Sequence, residues 1–167
     1  MRYGAAPVAS TAGSAALLVV SLALVAVVAA LGGVATSRSV GEWYDGLERA
    51  PWNPPSWVFG PAWTVLYLLM AVAAWLVARE GLDDSAVRVA LTLYAIQLAL
   101  NLGWSVVFFG LRRPGLGLVV IAALFVAIVA TAIAFDSVSS LAAWMLVPYL
   151  LWVAFAGSLN AWIAFAN

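Results

Sequence analysis

Apolar and polar residues segregate along this chain in long blocks. Five stretches, at about residues 14–35, 57–78, 87–111, 116–135 and 141–166, are almost continuously apolar. A helix needs about 20 apolar residues to cross the hydrocarbon core of a bilayer, so each stretch predicts a transmembrane helix. The breaks carry turn and charge signals. ATSRSVGEWYDGLERAPWNPP follows the first stretch, REGLDDSAVR the second, RRPG the third and DSVSS the fourth. A membrane barrel would show strands of about 10 residues with alternating polarity, and no long alternation is present. The pattern predicts an all-α membrane protein: one domain over 1–167, a bundle of five transmembrane helices with a long first loop. The first stretch also fits a cleaved leader, with Arg2 before it and small residues near Val34. It is longer than the usual leader core of about 7–15 residues, which favours a retained helix.

Polar side chains inside the blocks are the next signal, because lipid offers them no partner. The third block carries Tyr94, Gln97, Asn101, Trp104, Ser105 and Phe108 at helical spacing on one face. The second places Trp63, Tyr67 and Met70 on one face, and the fifth Tyr149, Trp152, Ala156 and Asn160. The first and fourth carry almost no such stripe. The plainest use of these groups is interhelical hydrogen bonding and an interfacial aromatic belt, which suits Trp43, Trp57 and Trp144 near block ends. Trp63, Trp104 and Trp152 lie deeper. Three stripes turned toward one another would line a cavity with flat rings and a few hydrogen-bonding groups, suited to a flat apolar molecule. Small residues three and four apart, such as Ala123, Ala127, Ala130 and Ala134, predict close helix packing.

Composition narrows the chemistry. Hydrophobic residues make up 66% of the chain, charged residues 8%, and mean hydropathy is +1.10; a soluble domain has about 45–50% apolar and about 25% charged residues. The seven cations, all Arg, balance seven acids, so no basic footprint for nucleic acid exists. With no Cys and no His, thiolate chemistry and the commonest metal ligand are absent. No metal site and no resident cofactor is expected. Arg38, Arg49, Arg112 and Arg113 fall on one side of the bundle and Arg2, Arg79 and Arg88 on the other. That bias predicts a cell-membrane protein with its N-terminus outside and its C-terminus cytoplasmic.

The segment WYDGLERAPWNPPSW, residues 43–57, holds three of the nine tryptophans and three of the seven prolines. Proline fixes φ and restricts the residue before it, so Pro54 and Pro55 predict a stiff entry into the second helix that holds Trp52 and Trp57. A segment longer than a simple connector suggests a lid over one mouth of the bundle. It can equally start a helix, with Asn53 as cap and Pro54 at the first position.

These residues carry a resemblance. WYDGLERAPWNPPSWVFGPAWTVLYLLMAVAAW, then NLGWSVVFFGLRR in the third block and VPYLLWVAFAGSLN in the fifth, resemble the TspO/MBR family over about residues 43–160. The resemblance implies five tilted helices around a pocket open toward the first loop. It further implies homodimers, and binding of porphyrins such as protoporphyrin IX, of isoquinoline carboxamide or benzodiazepine ligands, and of sterols in some members. By the family pattern, the pocket residues are Tyr44, Pro54, Pro55, Phe59, Trp63, Asn101, Trp104, Ser105, Trp152 and Ala156. Sterol-binding members carry a Tyr and a following cation late in the fifth helix. This chain ends LNAWIAFAN with no cation after Arg113, which disfavours a sterol.

Three functions follow for comparison. The first is a receptor for tetrapyrroles. The second is a light- and oxygen-dependent porphyrin-degrading enzyme, for which the resemblance points to Trp63 and Trp152. The blocks themselves hold no acid–base pair and supply no other catalytic residue. The third is a transporter, although no internal repeat and no intramembrane charge is visible.

Overall fold

The computed structural model describes residues 11–41 and 43–167, without the side chain of Arg38. Arg2, which entered the orientation count and the leader alternative, lies outside the described residues. All regular structure among them is helical. The helices are α1 (Thr11–Val40), α2 (Phe59–Ala78), α3 (Ser85–Ser105), α4 (Pro114–Asp136), α5 (Ser140–Met145) and α6 (Val147–Ala166). Two 3-10 turns, Tyr44–Gly46 and Ser56–Val58, lie between α1 and α2, and a π turn, Val106–Gly110, extends α3. Five helical segments are long and apolar enough to cross a membrane, the fifth formed by α5 and α6 together. The fold is therefore an all-helical, five-span membrane bundle.

Local chemistry sets the boundaries. Asp84 Oδ1 accepts the Ala86 N–H at 2.7 Å and caps α3. Gly81, at φ 124°, makes the reversal before it, a conformation that costs glycine little. Ser139 Oγ accepts the Ala142 N–H at 3.4 Å and caps α5. Pro114 occupies the start of α4, where a missing N–H costs nothing. Pro148 has no N–H to donate back to Trp144, and the fifth span breaks there. Leu146 N–H turns to the Ala143 carbonyl at 3.0 Å, and Leu150 N–H resumes the ladder on Leu146 at 2.9 Å.

Packing in lipid rests on close contact rather than on exclusion of water. α4 lies between α3 and α6, α5 touches α2 and α4, and α1 packs on α2 and the α3–π segment. Ala71, Ala73 and Ala74 of α2 are buried in the same core as the larger Phe135, Leu124 and Tyr149. Tyr94 stacks on Phe135 at 5.8 Å, joining α3 to α4. Where α6 crosses α4, a Cβ on Gly157 would sit 4.0 Å from Ile121 Cγ2. α1 is fastened near its two ends: Trp75 Nε1 donates to Ser14 O at 2.9 Å and Ser14 Oγ at 3.1 Å, and Ser39 Oγ donates to Phe109 O at 2.7 Å.

The tightest crossing is at Gly117 of α4. A Cβ there would lie 3.0 Å from Asn160 Oδ1 and 3.1 Å from Phe108 Cδ2. We expect Gly117→Ala to lower stability by about 1–3 kcal/mol, the usual cost of overpacking. Gly115→Ala, with nothing within 4 Å of its added Cβ, should leave it unchanged. Fluorescence-detected melting in detergent reads both, and equal shifts would show that the Gly117 contact imposes no strain.

Candidate functional site

A cavity of about 900 Å³ lies within the bundle near the α1–α2 connector. α2 supplies Phe59, Trp63 and Tyr67, α6 supplies Trp152 and Ala156, and the end of α3 with its π turn supplies Trp104, Ser105, Phe108 and Phe109. Gly41, Tyr44 and Ser56 form its roof.

Trp63 is the centre of one ring cluster. Its ring lies 5.4 Å from Tyr67, tilted by 31°, and 6.5 Å from Trp152 at 85°. Tyr149 reaches its edge at 6.3 Å, and Phe59 packs on Trp152 at 5.8 Å. The second cluster stands on the π turn. Trp104 stacks on Phe108 at 5.4 Å, and Phe109 meets Phe108 edge-on at 4.8 Å. Neighbouring residues of an α-helix point about 100° apart; the wider π turn lets both phenylalanines face the cavity.

A polar layer behind the rings fixes them. Tyr67 Oη donates to Asn101 Oδ1 at 2.8 Å, Asn101 Nδ2 to Tyr149 Oη at 3.0 Å, and Tyr149 Oη to Gln97 Oε1 at 3.0 Å. Asn101, Tyr149 and Gln97 are at most 1% exposed. On the other side, Trp104 Nε1 donates to Asn160 Oδ1 at 3.0 Å, and Asn160 Nδ2 to Pro114 O at 2.8 Å. This clasp joins α3, α6 and the start of α4. The stripes read from the sequence thus serve two ends: rings toward the cavity, amides toward one another.

The roof is tied down at several points. Tyr44 Oη donates to Asn53 Oδ1 at 3.2 Å. Glu48 N–H donates to Asn167 Oδ1 at 3.0 Å, and Asn167 Nδ2 donates back to Glu48 O at 3.2 Å. The connector and residue 167 therefore share one side of the bundle. Burial pushes the Tyr44 phenol above its ordinary pKa, partly opposed by nearby Arg49. It remains a neutral donor through neutral pH.

Seven of the ten expected pocket residues line the cavity: Tyr44, Phe59, Trp63, Trp104, Ser105, Trp152 and Ala156. Asn101 sits one layer back and accepts the Tyr67 hydroxyl, while Pro54 and Pro55 shape the connector without reaching the cavity. Several expectations are corrected. Trp52 does not cover the cavity; it docks on the outside of α6, 3.3 Å from Ser158 Oγ and 5.3 Å from the Trp162 ring. Trp57 does not reach the cavity either; it is 75% exposed on the outside of the bundle, where a belt residue would stand. Trp43 belongs to the second ring cluster, 5.7 Å from Phe108, rather than to the belt. Asn53 caps no helix, because its side chain is engaged by Tyr44 and by Pro54 O, and α2 begins only at Phe59.

The largest omission is α1. Ala29, Gly32, Gly33 and Thr36 form a whole wall. Their small size at helical spacing was the available signal, obscured by the general abundance of alanine. α1 also defines the opening. The exposed lining residues are Ala26, Gly33, Ser37 and Gly41 on one side and Ser56, Gly60, Thr64 and Leu68 on the other. They form two facing stripes along the α1–α2 seam, so the cavity opens sideways as well as toward the connector.

A family model described as the TspO/MBR family matches residues 19–166. The chain belongs to the TspO/MBR family. It is 46% identical over 129 residues to the tryptophan-rich protein TspO of Chlorobaculum tepidum, covering 77% of this chain and 82% of the relative. It is 47% identical over 120 residues to the translocator protein of Homo sapiens, covering 71% and 70%. The tryptophan-rich sensory protein of Cereibacter sphaeroides is 43% identical over 136 residues, covering 79% and 83%.

In this TspO/MBR protein no charged side chain lines the cavity among the described residues. The walls suit noncovalent binding rather than acid–base chemistry. Two outcomes follow. Asn101→Leu leaves the Tyr67 hydroxyl without its acceptor, while Tyr149 keeps its bond to Gln97, and should cost about 1–3 kcal/mol, read by thermal melting. Gly33 and Gly60 have nothing within 4 Å of an added Cβ. Gly33→Leu with Gly60→Leu should therefore keep the fold but slow entry of pyrene by about tenfold, a barrier rise of about 1.4 kcal/mol. Unchanged stopped-flow kinetics would show that ligands bypass the seam.

Proposed function

We propose that this TspO/MBR protein is a membrane-embedded receptor for tetrapyrroles of the protoporphyrin IX type, and for other flat apolar molecules such as isoquinoline carboxamides. The observation that carries the reading is the near-perpendicular pair Trp63 and Trp152, 6.5 Å apart, in the wall of a 900 Å³ cavity. Sites for drug-sized molecules span about 300–1,000 Å³ and are mostly apolar with a few fixed polar groups. The macrocycle would lie against the rings, and its acidic arms would reach the roof. There Arg49 stands 5.8 Å over the Tyr44 ring. We place the protein in the cell membrane as a homodimer, with the connector side cytoplasmic. The name of the Cereibacter relative, a sensory protein, fits a receptor.

A second reading, light- and oxygen-dependent porphyrin degradation, is favoured by the same contact, since adjacent indoles beside an excited macrocycle are oxidisable groups. A dark, anaerobic control separates the two readings. Degradation requires that porphyrin loss stop in that control and in the Trp63→Phe, Trp152→Phe double variant.

Quenching of tryptophan fluorescence by protoporphyrin IX in detergent tests the receptor reading. Trp63→Ala or Trp152→Ala should weaken binding by about tenfold or more, the effect of losing a central aromatic anchor. Trp162→Ala, on the outer face of α6 beside Trp52, should bind like the unmodified protein. Equal losses in all three variants would overturn the assignment.

A further inference from the structure

The seam between α1 and α2 occupies one half of the membrane. Its exposed edges run from Ser56 to Leu68 on α2 and from Gly41 back to Ala26 on α1. Ser56 to Leu68 is the connector-side half of the second span, Ser56–Ala78, and covers about 18 Å at about 1.5 Å per residue. One leaflet of the hydrocarbon core is about 15 Å deep, half of the whole. The opening therefore starts at the connector and ends near the middle of the bilayer. Its polarity changes along that length. Ser37 and Ser56 stand at the connector end, Gly33, Gly60 and Thr64 lie between, and Ala26 and Leu68 close the deep end, with Leu22 and Val25 behind them. Most polar groups on the wall are already bonded within the protein. Tyr67 pairs with Asn101, Trp104 with Asn160, and Thr36 and Thr64 with carbonyls of their own helices. A water held in a cavity needs about 2–4 polar partners, and the deep half offers it few.

We propose that the cavity takes up an acyl chain of a phospholipid from the connector-side leaflet, which enters through the α1–α2 seam while its headgroup stays level with Ser37 and Ser56. A hollow of about 900 Å³ joined to hydrocarbon does not stay unfilled, because every wall atom without a neighbour forgoes its dispersion contacts. What adjoins the opening is lipid chain. Acyl chains run along the bilayer normal, as the seam does, so one can slide sideways between the helices at full length. Gly33 and Gly60 leave the passage, with nothing within 4 Å of an added Cβ at either. The hydroxyls at the top suit the ester region of a lipid, and the apolar floor suits its methyl end. The gain is packing rather than exclusion of water, since bilayer and cavity are both apolar. The chain is therefore exchangeable, and a flat ligand has to displace it. This goes beyond the receptor reading, for it names the molecule that any such ligand competes with.

The test uses the full chain in phospholipid vesicles that contain a phosphatidylcholine with a diazirine halfway along one acyl chain. After illumination, adducts are mapped by peptide mass spectrometry. The expected result is labelling of Trp104 and Trp152, on the α3 and α6 walls of the cavity, besides that of exposed outer residues such as Val119 and Leu151. Gly33→Leu with Gly60→Leu should lower the inner adducts by about tenfold, as overpacking closes the passage, and leave the outer ones unchanged. Outer adducts alone in the unmodified protein overturn the proposal. Inner adducts that persist in the double variant overturn it too, because the chain then enters elsewhere. A free fatty acid carrying the same diazirine separates the two sources of an acyl chain: inner labelling by the fatty acid and not by the phosphatidylcholine overturns the phospholipid assignment. The unmodified protein decides the matter even where the double variant fails to fold. No flat ligand enters this experiment, so its failure leaves the receptor reading standing, and failure of porphyrin to bind leaves the lipid site standing.

Discussion

The hydrocarbon core offers no hydrogen-bond partner, and the architecture follows from that lack. In water, a buried asparagine or glutamine exchanges one partner for another. In lipid, an unpaired one has nowhere to turn. Gln97, Asn101, Tyr149 and Asn160, each at most 1% exposed, therefore find one another or a backbone carbonyl. Each such interhelical bond contributes on average only about 0.6 kcal/mol, since the separated helices also find partners. Their larger effect is positional. Tyr67 is held by Asn101, and Trp104 by Asn160, so the rings that face the cavity are aimed by groups hidden behind them.

The cavity is consequently built from unequal parts. α2, α3 and α6 meet through rings and amides, and their geometry is fixed at several points. α1 contributes glycine, alanine and threonine to its wall, and its described side-chain hydrogen bonds to other helices lie near its two ends. The rigid side supplies shape and stacking. The side made of small residues supplies the opening, because Gly33 and Gly60 leave space along the seam where larger residues would fill it.

The five-span fold was legible because the apolar blocks are long and the breaks between them polar. The inward stripes were legible as well, since a polar residue in a membrane helix must face protein. What escaped was everything that depends on which neighbour a side chain meets. The connector reads as a lid in which Pro54 and Pro55 hold Trp52 and Trp57, but ring size and chain stiffness do not say which way a connector folds. Trp52 found Ser158 instead. Asn53 looked like a helix cap by local pattern, yet a tertiary contact with Tyr44 claimed it. α1 carries almost no polar or aromatic stripe that would mark it in the sequence, and its part in the site is to provide room. The π turn left no mark in NLGWSVVFFG beyond the paired phenylalanines it brings to one side.

The contacts that tie the connector and α3 to the end of the fifth span also bridge long stretches of the chain. Glu48 pairs with a residue 119 positions later, Trp52 with one 106 positions later, and Trp104 with one 56 positions later. All three partners lie at Ser158 or beyond in α6 or at Asn167. During synthesis, α1 to α4 can insert and pack in order, but until α6 follows, Trp104 has no acceptor and the roof is held only by contacts such as those of Tyr44 with Phe108 and Phe109. A nascent chain that has threaded four helices into the membrane thus still lacks α6, and with it one wall of the cavity and the acceptor for Trp104.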